Sequence, residues 1–181
     1  MFDLPPGLVP TQEQVIERSL HDCGLDPRGY TVKYQDYLQG IEVVIAPSAG
    51  ATSDNFACIK DATGYELVTF EDSEMYSAYL EFTSESARPE MLVHYESKLR
   101  DAGLWEGFPE RTSFGTLEEY AAALEEHSGL EAGSALRVSG TFIMFDPPDA
   151  ILDFNDYVER YSDLMTVVAY ATTKERIRFG L

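Results

Sequence analysis

Apolar residues recur along the chain with two periods, and each change of period marks a new element. Val15, Ile16, Leu20 and Cys23 return at helical spacing behind Thr11, and Gln14 stands three residues after that threonine as in a capping box. A helix is predicted there, stopped by Gly24. From Tyr30 the texture changes to β-formers: Tyr30, Thr31, Val32, Tyr34 and Tyr37, then Ile41, Val43, Val44 and Ile45, with Gln39-Gly40 between the halves. That predicts a hairpin. The second strand ends at Ala46-Pro47 and leads through small residues to Thr52, Ser53 and Asp54, a capping cluster for a short helix with Phe56, Cys58 and Ile59 inward and Gly64 at its end. A strand over 65–70 completes a strand, helix, strand unit.

Asp72 opens a further helix carrying Met75, Tyr76, Tyr79 and Leu80. A break over 84–89 is expected to separate it from another, with Pro89 in the first turn and Met91, Leu92, Tyr95, Leu99 and Ala102 on one face. Residues 104–113 read as a loop around the only tryptophan, Trp105. Thr116 and Glu119 form a second capping box, which predicts a helix over Leu117–His127 closed by Ser128-Gly129. Residues 135–145 alternate, and predict one long, central strand whose end is apolar on both faces. Asp146-Pro147-Pro148-Asp149 breaks the chain. A short helix is expected over 151–161. Residues 164–171 fit strand and helix alike, and the β-branched Val167 and Val168 favour strand. The tail over 176–179 is expected to be extended.

These elements define an α+β fold: about five strands in one mostly antiparallel sheet, with helices on one face, because hairpin signals coexist with consecutive helices from Asp72 to His127. A chain of 181 residues and 20.3 kDa buries about 70% of its unfolded surface, enough for a core without staples. No repeat or low-complexity linker interrupts it. The domain reading is an irregular arm over 1–10, where Pro5, Pro6 and Pro10 forbid a continuous helix, and one globular domain over 11–181.

Charge narrows the choice of partner. Thirty-two acids against thirteen bases leave a formal net charge of −19. Nucleic acid and anionic membrane surfaces both require clustered Lys and Arg, so neither is expected as a partner. Between residues 61 and 85 lie seven acids (Asp61, Glu66, Glu71, Asp72, Glu74, Glu81, Glu85) and no base, whereas the tail is locally positive through Lys174, Arg176 and Arg178. The acidic stretch suits solubility, and it also suits a basic protein docked against it. No apolar run approaches the roughly 18 residues of a membrane span. The N-terminal residues have neither the basic nor the apolar region of a secretory leader, so the two cysteines, Cys23 and Cys58, are expected as reduced thiols in a cytoplasmic protein.

Signatures of well-marked enzyme classes are missing from the sequence: no Gly-x-Ser-x-Gly, His-Glu-x-x-His, Walker loop, Gly-x-Gly-x-x-Gly or EF-hand loop. The histidines lack co-ligands at metal spacing. Glu90 and His94 share a helical stripe and supply half a site, and His127 suits the C-terminal end of its helix. No metal and no cofactor is expected. The best-placed ligand loop runs from a strand end into a helix N-terminus, with Ser48, Gly50, Thr52 and Ser53 offering backbone N–H groups to an anion and Glu71 nearby as a carboxylate. Against that, Thr52, Ser53 and Asp54 can satisfy those groups themselves. Asp72 and Glu74 suit a cap and a first-turn acid as well as they suit a carboxylate cluster. Eleven tyrosines, several on helical faces (Tyr76, Tyr79, Tyr95, Tyr120), suit half-buried packing or a groove for a protein.

Three functions fit these residues. The first is a non-catalytic protein working through protein contacts or as a homo-oligomer. The second is a small-molecule or anion binder, or an enzyme, using the 48–53 loop and nearby carboxylates. The third is an acidic inhibitor or immunity-type protein that covers a basic partner.

Overall fold

Thr11 starts the first helix as the capping box requires: its hydroxyl accepts from the Gln14 N–H while the Gln14 side chain accepts from the Thr11 N–H. The computed structural model describes residues 9–148 and 154–180. Most of the proposed N-terminal arm, Asp149 and the start of the helix expected from residue 151 lie outside the described residues. Contacts gather into two compact units, Met1–Ser86 and Ala87–Leu181, each with a core of its own, where the sequence reading has one domain from residue 11.

In the first unit α1 (Gln12–Asp22) precedes the hairpin of β1 (Tyr30–Gln35) and β2 (Gly40–Ile45), followed by α2 (Phe56–Thr63) and β3 (Leu67–Phe70). The hairpin is antiparallel with Val32 opposite Val43, and β3 joins β2 in parallel with Val43 beside Val68. That register puts Tyr30, Val32, Ile41, Val43, Ile45, Val68 and Phe70 on one face, where they meet Ile16 and Leu20 of α1 and Phe56 and Ile59 of α2. Gly29 is glycine for a steric reason: a Cβ there would stand 2.0 Å from the Ala49 nitrogen.

The helix after β3 corrects one expectation. Instead of two helices broken over 84–89, α3 (Ser73–Asp101) runs unbroken through Pro89. An interior proline costs about 3 kcal/mol because it removes one helical bond and crowds the preceding turn. The residues on both sides are anchored: Met75, Tyr76, Tyr79 and Phe82 pack on the first core, and Leu92, Tyr95 and Leu99 on the second. Arg88, beside the proline, donates to the carbonyls of Thr173 and Lys174 at 2.9 and 2.6 Å. Leu80 and Met91, expected inward, are exposed.

The second unit holds α4 (Leu117–His127), β4 (Leu136–Ser139), β5 (Phe142–Phe145), α5 (Phe154–Glu175) and β6 (Arg178–Gly180). Three sequence expectations change here. The single strand over 135–145 is a hairpin turned at Gly140, whose φ of 62° suits glycine. The turn shifts the phase, so Leu136 and Val138 face the same side as Phe145 and Ile143. Residues 164–171 are helix, not strand. Tyr161, Leu164, Val167, Val168 and Ala171 are all buried, and their spacing of three, three, one and three is a helical stripe. Their burial outweighs the small intrinsic penalty of two valines. Finally, the one five-stranded sheet becomes two three-stranded sheets, β1-β2-β3 and β4-β5-β6, each half antiparallel and half parallel. The α+β class stands.

Both units share one connectivity: a hairpin, a helix, then a third strand parallel to the second hairpin strand.

Candidate functional site

The 48–53 loop is built to support the fold. Ala46-Pro47 leads into a short 3-10 turn over Pro47–Ala49 and Gly50 closes it with φ 72°. Its amides turn inward on the loop: Ala49 N–H donates to the Ala46 carbonyl, Gly50 N–H to Pro47, and Thr52 N–H to the Asn55 side chain at 2.8 Å. The Ala49 carbonyl accepts from the Asp26 N–H. Ser48, Gly50, Thr52 and Ser53 are exposed, and Glu71 is exposed next to them in the fold, its N–H donating to the Ile45 carbonyl at the end of β2. A small cavity of about 120 Å³ nearby is lined by Ile45, Ala46, Pro47, Ala51, Phe70, Asp72 and Met75, and so by none of these five residues.

The other polar candidates are engaged in structure. Asp72 caps α3, its Oδ1 accepting from the N–H groups of Glu74 and Met75, both at 2.9 Å. The His127 ring bonds through Nε2 to the Leu104 carbonyl at 2.7 Å and meets the edge of Phe108, so it fixes the tryptophan loop on the end of α4. His94 is exposed beside Tyr95. Among the described residues no group of three or more His, Cys, Asp or Glu is placed to hold a metal ion.

Glu125 escaped the sequence reading. It is buried in the second unit, where Oε1 accepts from the N–H groups of Ala135 and Leu136 at 2.6 and 2.7 Å, and Oε2 from Gly133. One carboxylate thereby shapes the turn into β4. The helical pattern of α4 hides it, since a glutamate there reads as solvent-facing.

The cysteines also differ from expectation. Cys23, at the C-terminal end of α1, and Cys58, on α2, form a disulfide with Cα atoms 5.7 Å apart. They are therefore not reduced thiols, and Cys58, expected inward, is exposed. Packing of α1 on α2 brings the two positions together, and nothing in a separation of 35 residues announces it.

Among the described residues no helix is long and apolar enough to cross a membrane. What the surface does carry is a set of exposed aromatic and apolar side chains towards one end of the first sheet. The β1–β2 turn exposes Tyr37 and Leu38 and the segment entering β3 exposes Tyr65, while Tyr34 of β1 and Leu67 of β3 are exposed on opposite faces of the sheet. Parallel pairing of Leu67 with Glu42 starts β3, with Tyr65 two residues before it, at the end of the sheet where the β1–β2 turn lies. Tyr65 is fully exposed and Tyr37 is 73% exposed. Glu66 holds the end together: Oε2 accepts from the Ile41 N–H at 2.8 Å and Oε1 from the Gln12 side chain of α1 at 2.6 Å. Asp36 and Glu42 add carboxylates, with Lys33 across the ladder from Glu42. By contrast, Tyr79 and Tyr120, two of the helical tyrosines suggested as a groove, are buried in the cores. The signal that points to the hairpin is the aromatic pair Tyr34 and Tyr37 flanking Asp36 in an otherwise polar turn.

No family model, no curated protein and no solved structure matches this chain.

Proposed function

We propose that this protein works without catalysis, by holding another protein against the tyrosine end of its first sheet. The observation that carries this reading is that Tyr37 and Leu38 in the β1–β2 turn and Tyr65 just before β3 are all exposed at one end of a small three-stranded sheet. Single exposed apolar side chains are ordinary, and several at one sheet end favour a contact surface more than one alone does. Tyrosine suits such a surface because it offers a large rigid face at low entropic cost and a hydroxyl for the wet rim. Glu66 supports the reading by pinning the β3 entry to β2 and α1, so that the apolar groups are presented by an ordered edge.

A photo-reactive residue placed at position 37 or 65 is expected to trap one discrete protein in cells, identified by mass spectrometry. The same probe at Val93, an exposed apolar position in the second unit, serves as the control. Reconstituted with that purified protein, the Tyr37→Ser/Tyr65→Ser variant should bind at least tenfold more weakly. Adducts no different from those at Val93, or undiminished binding by the variant, overturn the proposal. An adduct with a second copy of this chain would identify the contact as self-association, to be checked by sedimentation.

A further inference from the structure

We infer that the Cys23–Cys58 bond is a site of reversible thiol–disulfide exchange, opened by a dithiol reductant and closed again by the chain's own geometry, and that its state sets how readily the β1–β2 hairpin opens.

The bond stands where a reagent can reach it. Cys58 is exposed and Cys23 half-buried, and both line a surface depression of about 290 Å³ with Ser19, Asp22, Asp61 and Ala62. They are the only two cysteines of the chain, so exchange here meets no competing thiol within it. Attack falls on Cys58, the more exposed of the two. A thiolate of the reductant bonds to the Cys58 Sγ, the S–S bond breaks, and its electron pair leaves on the Cys23 Sγ, which takes up a proton. The second thiolate of the reductant then attacks the mixed disulfide, closing the reductant's own S–S bond and releasing Cys58, which is protonated in turn. Two electrons pass from the dithiol to the cysteine pair.

The surroundings favour a dithiol over a single thiol. Once free, Cys23 stays beside Cys58, because the two positions are held together without the bond. Ile16 and Leu20 of α1 share one core with Phe56 and Ile59 of α2, and the Asn55 side chain donates to the Cys23 carbonyl at 3.0 Å. Farther along, the Asp26 N–H donates to the Ala49 carbonyl and the Ala46 N–H to that of Gly29. Cys23 therefore attacks a mixed disulfide on Cys58 at high effective concentration and expels a single thiol before a second one arrives. A dithiol escapes this reversal, since its second thiol is equally close. The same proximity closes the bond again once the reductant is gone.

What the bond controls follows from the segment it encloses. Residues 24–57 contain both strands of the hairpin, and β1 is an edge strand paired only with β2. With the bond closed, the hairpin opens only as a loop tied at both ends. With it broken, the opened segment gains chain entropy, and opening becomes more frequent.

The test treats the full chain, without denaturant, with dithiothreitol or reduced glutathione at equal thiol concentration, and counts free thiols by the gel shift of a maleimide–polyethylene glycol label. Dithiothreitol should give two labels per chain and glutathione at most about a tenth as many. Air oxidation after removal of dithiothreitol should restore the unlabelled band without disulfides between chains. Trypsin then reads the opening: with the reductant removed under nitrogen, cleavage after Lys33, within β1, should be at least about tenfold faster in the reduced chain than in the oxidised one. Cys23→Ser/Cys58→Ser should be cut as fast as the reduced chain, whether or not it has met dithiothreitol. Absence of label under dithiothreitol, equal labelling under glutathione, a bond that does not re-form, or cleavage after Lys33 unchanged by reduction overturns the inference.

Discussion

Replacing Glu125 should unfold the second unit more readily than any surface change, and the structure gives both the size and the graded form of the effect. Its carboxylate accepts three backbone N–H groups, two on Oε1 from Ala135 and Leu136 and one on Oε2 from Gly133. Ala135 and Leu136 are buried, so water cannot replace the lost acceptor at either site. A buried donor left without a partner costs about 1–3 kcal/mol, and Gly133 is exposed enough to be solvated, which puts Glu125→Ala at about 3–5 kcal/mol. Glu125→Gln is the sharper test. Glutamine keeps one oxygen for the Ala135 and Leu136 donors but turns an amide N–H₂ toward Gly133, so its cost should be about 1–2 kcal/mol. Trp105 is the only tryptophan and lies in the second unit, so its fluorescence in a urea titration follows that unit alone. The reasoning is refuted if the two variants lose equal stability, or if Glu125→Ala loses less than about 1 kcal/mol.

Three further outcomes follow from particular contacts. The Tyr120 hydroxyl is buried with no hydrogen-bond partner among the described residues, and its desolvation pushes the phenol pKa up, so Tyr120→Phe should raise stability by about 1 kcal/mol in the same titration; a loss of that size would show that the hydroxyl has a partner. The Cys23–Cys58 bond closes a loop of 35 residues, so a Cys23→Ser/Cys58→Ser variant should lose about 4 kcal/mol by chain entropy in the first unit, read by far-ultraviolet circular dichroism, with the Trp105 transition unmoved; an unchanged first-unit transition would argue against the bond. Asp26 is held down at about 2 by the Arg28 guanidinium, then by the Arg28 backbone N–H, so its folded form is favoured above the ordinary carboxylate range and that contribution is lost as the pH falls through about 2; in Arg28→Ala an NMR titration should find Asp26 returning toward ordinary values, and an unshifted curve would refute the assignment.

The sequence made local structure legible wherever a cap or a turn residue acts within four positions. Thr11 with Gln14, Thr116 with Glu119, and Gly64 after α2 stand where the spacing places them, because each is settled by its own neighbours. The errors share a different cause. Pro89 and the two valines of α5 carry unfavourable local propensities that distant packing overrides, as the burial of Leu99, Val167 and Val168 shows. The Gly140 hairpin escaped because strict alternation continues across it; only the change of inward phase, visible once Ile143 is buried opposite Val138, betrays the turn. The same limit explains the site. Ser48, Gly50, Thr52 and Ser53 have the composition of an anion loop, but whether an amide is available depends on Asn55, Ala46 and Pro47 taking it first. Tyr37 and Tyr65 are 28 residues apart, and the parallel β2–β3 pairing brings them to the same end of the sheet.

The two units, alike in connectivity, differ in how they use their polar side chains, and this bears on the proposed contact. In the second unit the strong groups are tied to the chain itself: Glu125 to three amides, Arg88 to carbonyls near the end of α5, and Lys174, at the surface, to Glu110 at 2.8 Å beside a cleft of about 380 Å³ lined by Trp105, Phe108 and Tyr170. Two rings of that cleft are met by the chain's own cations, Trp105 by Arg100 and Tyr170 by Lys174. In the first unit the carboxylates near the hairpin order the backbone through Glu66 and leave the tyrosine faces open. Solubility alone would require acid on the surface of both units, which both have. It would not require three exposed tyrosines at one sheet end of the unit with the fewest cations, because exposed rings without a partner lower solubility. The exposed rings at this end are therefore what the proposed protein contact rests on.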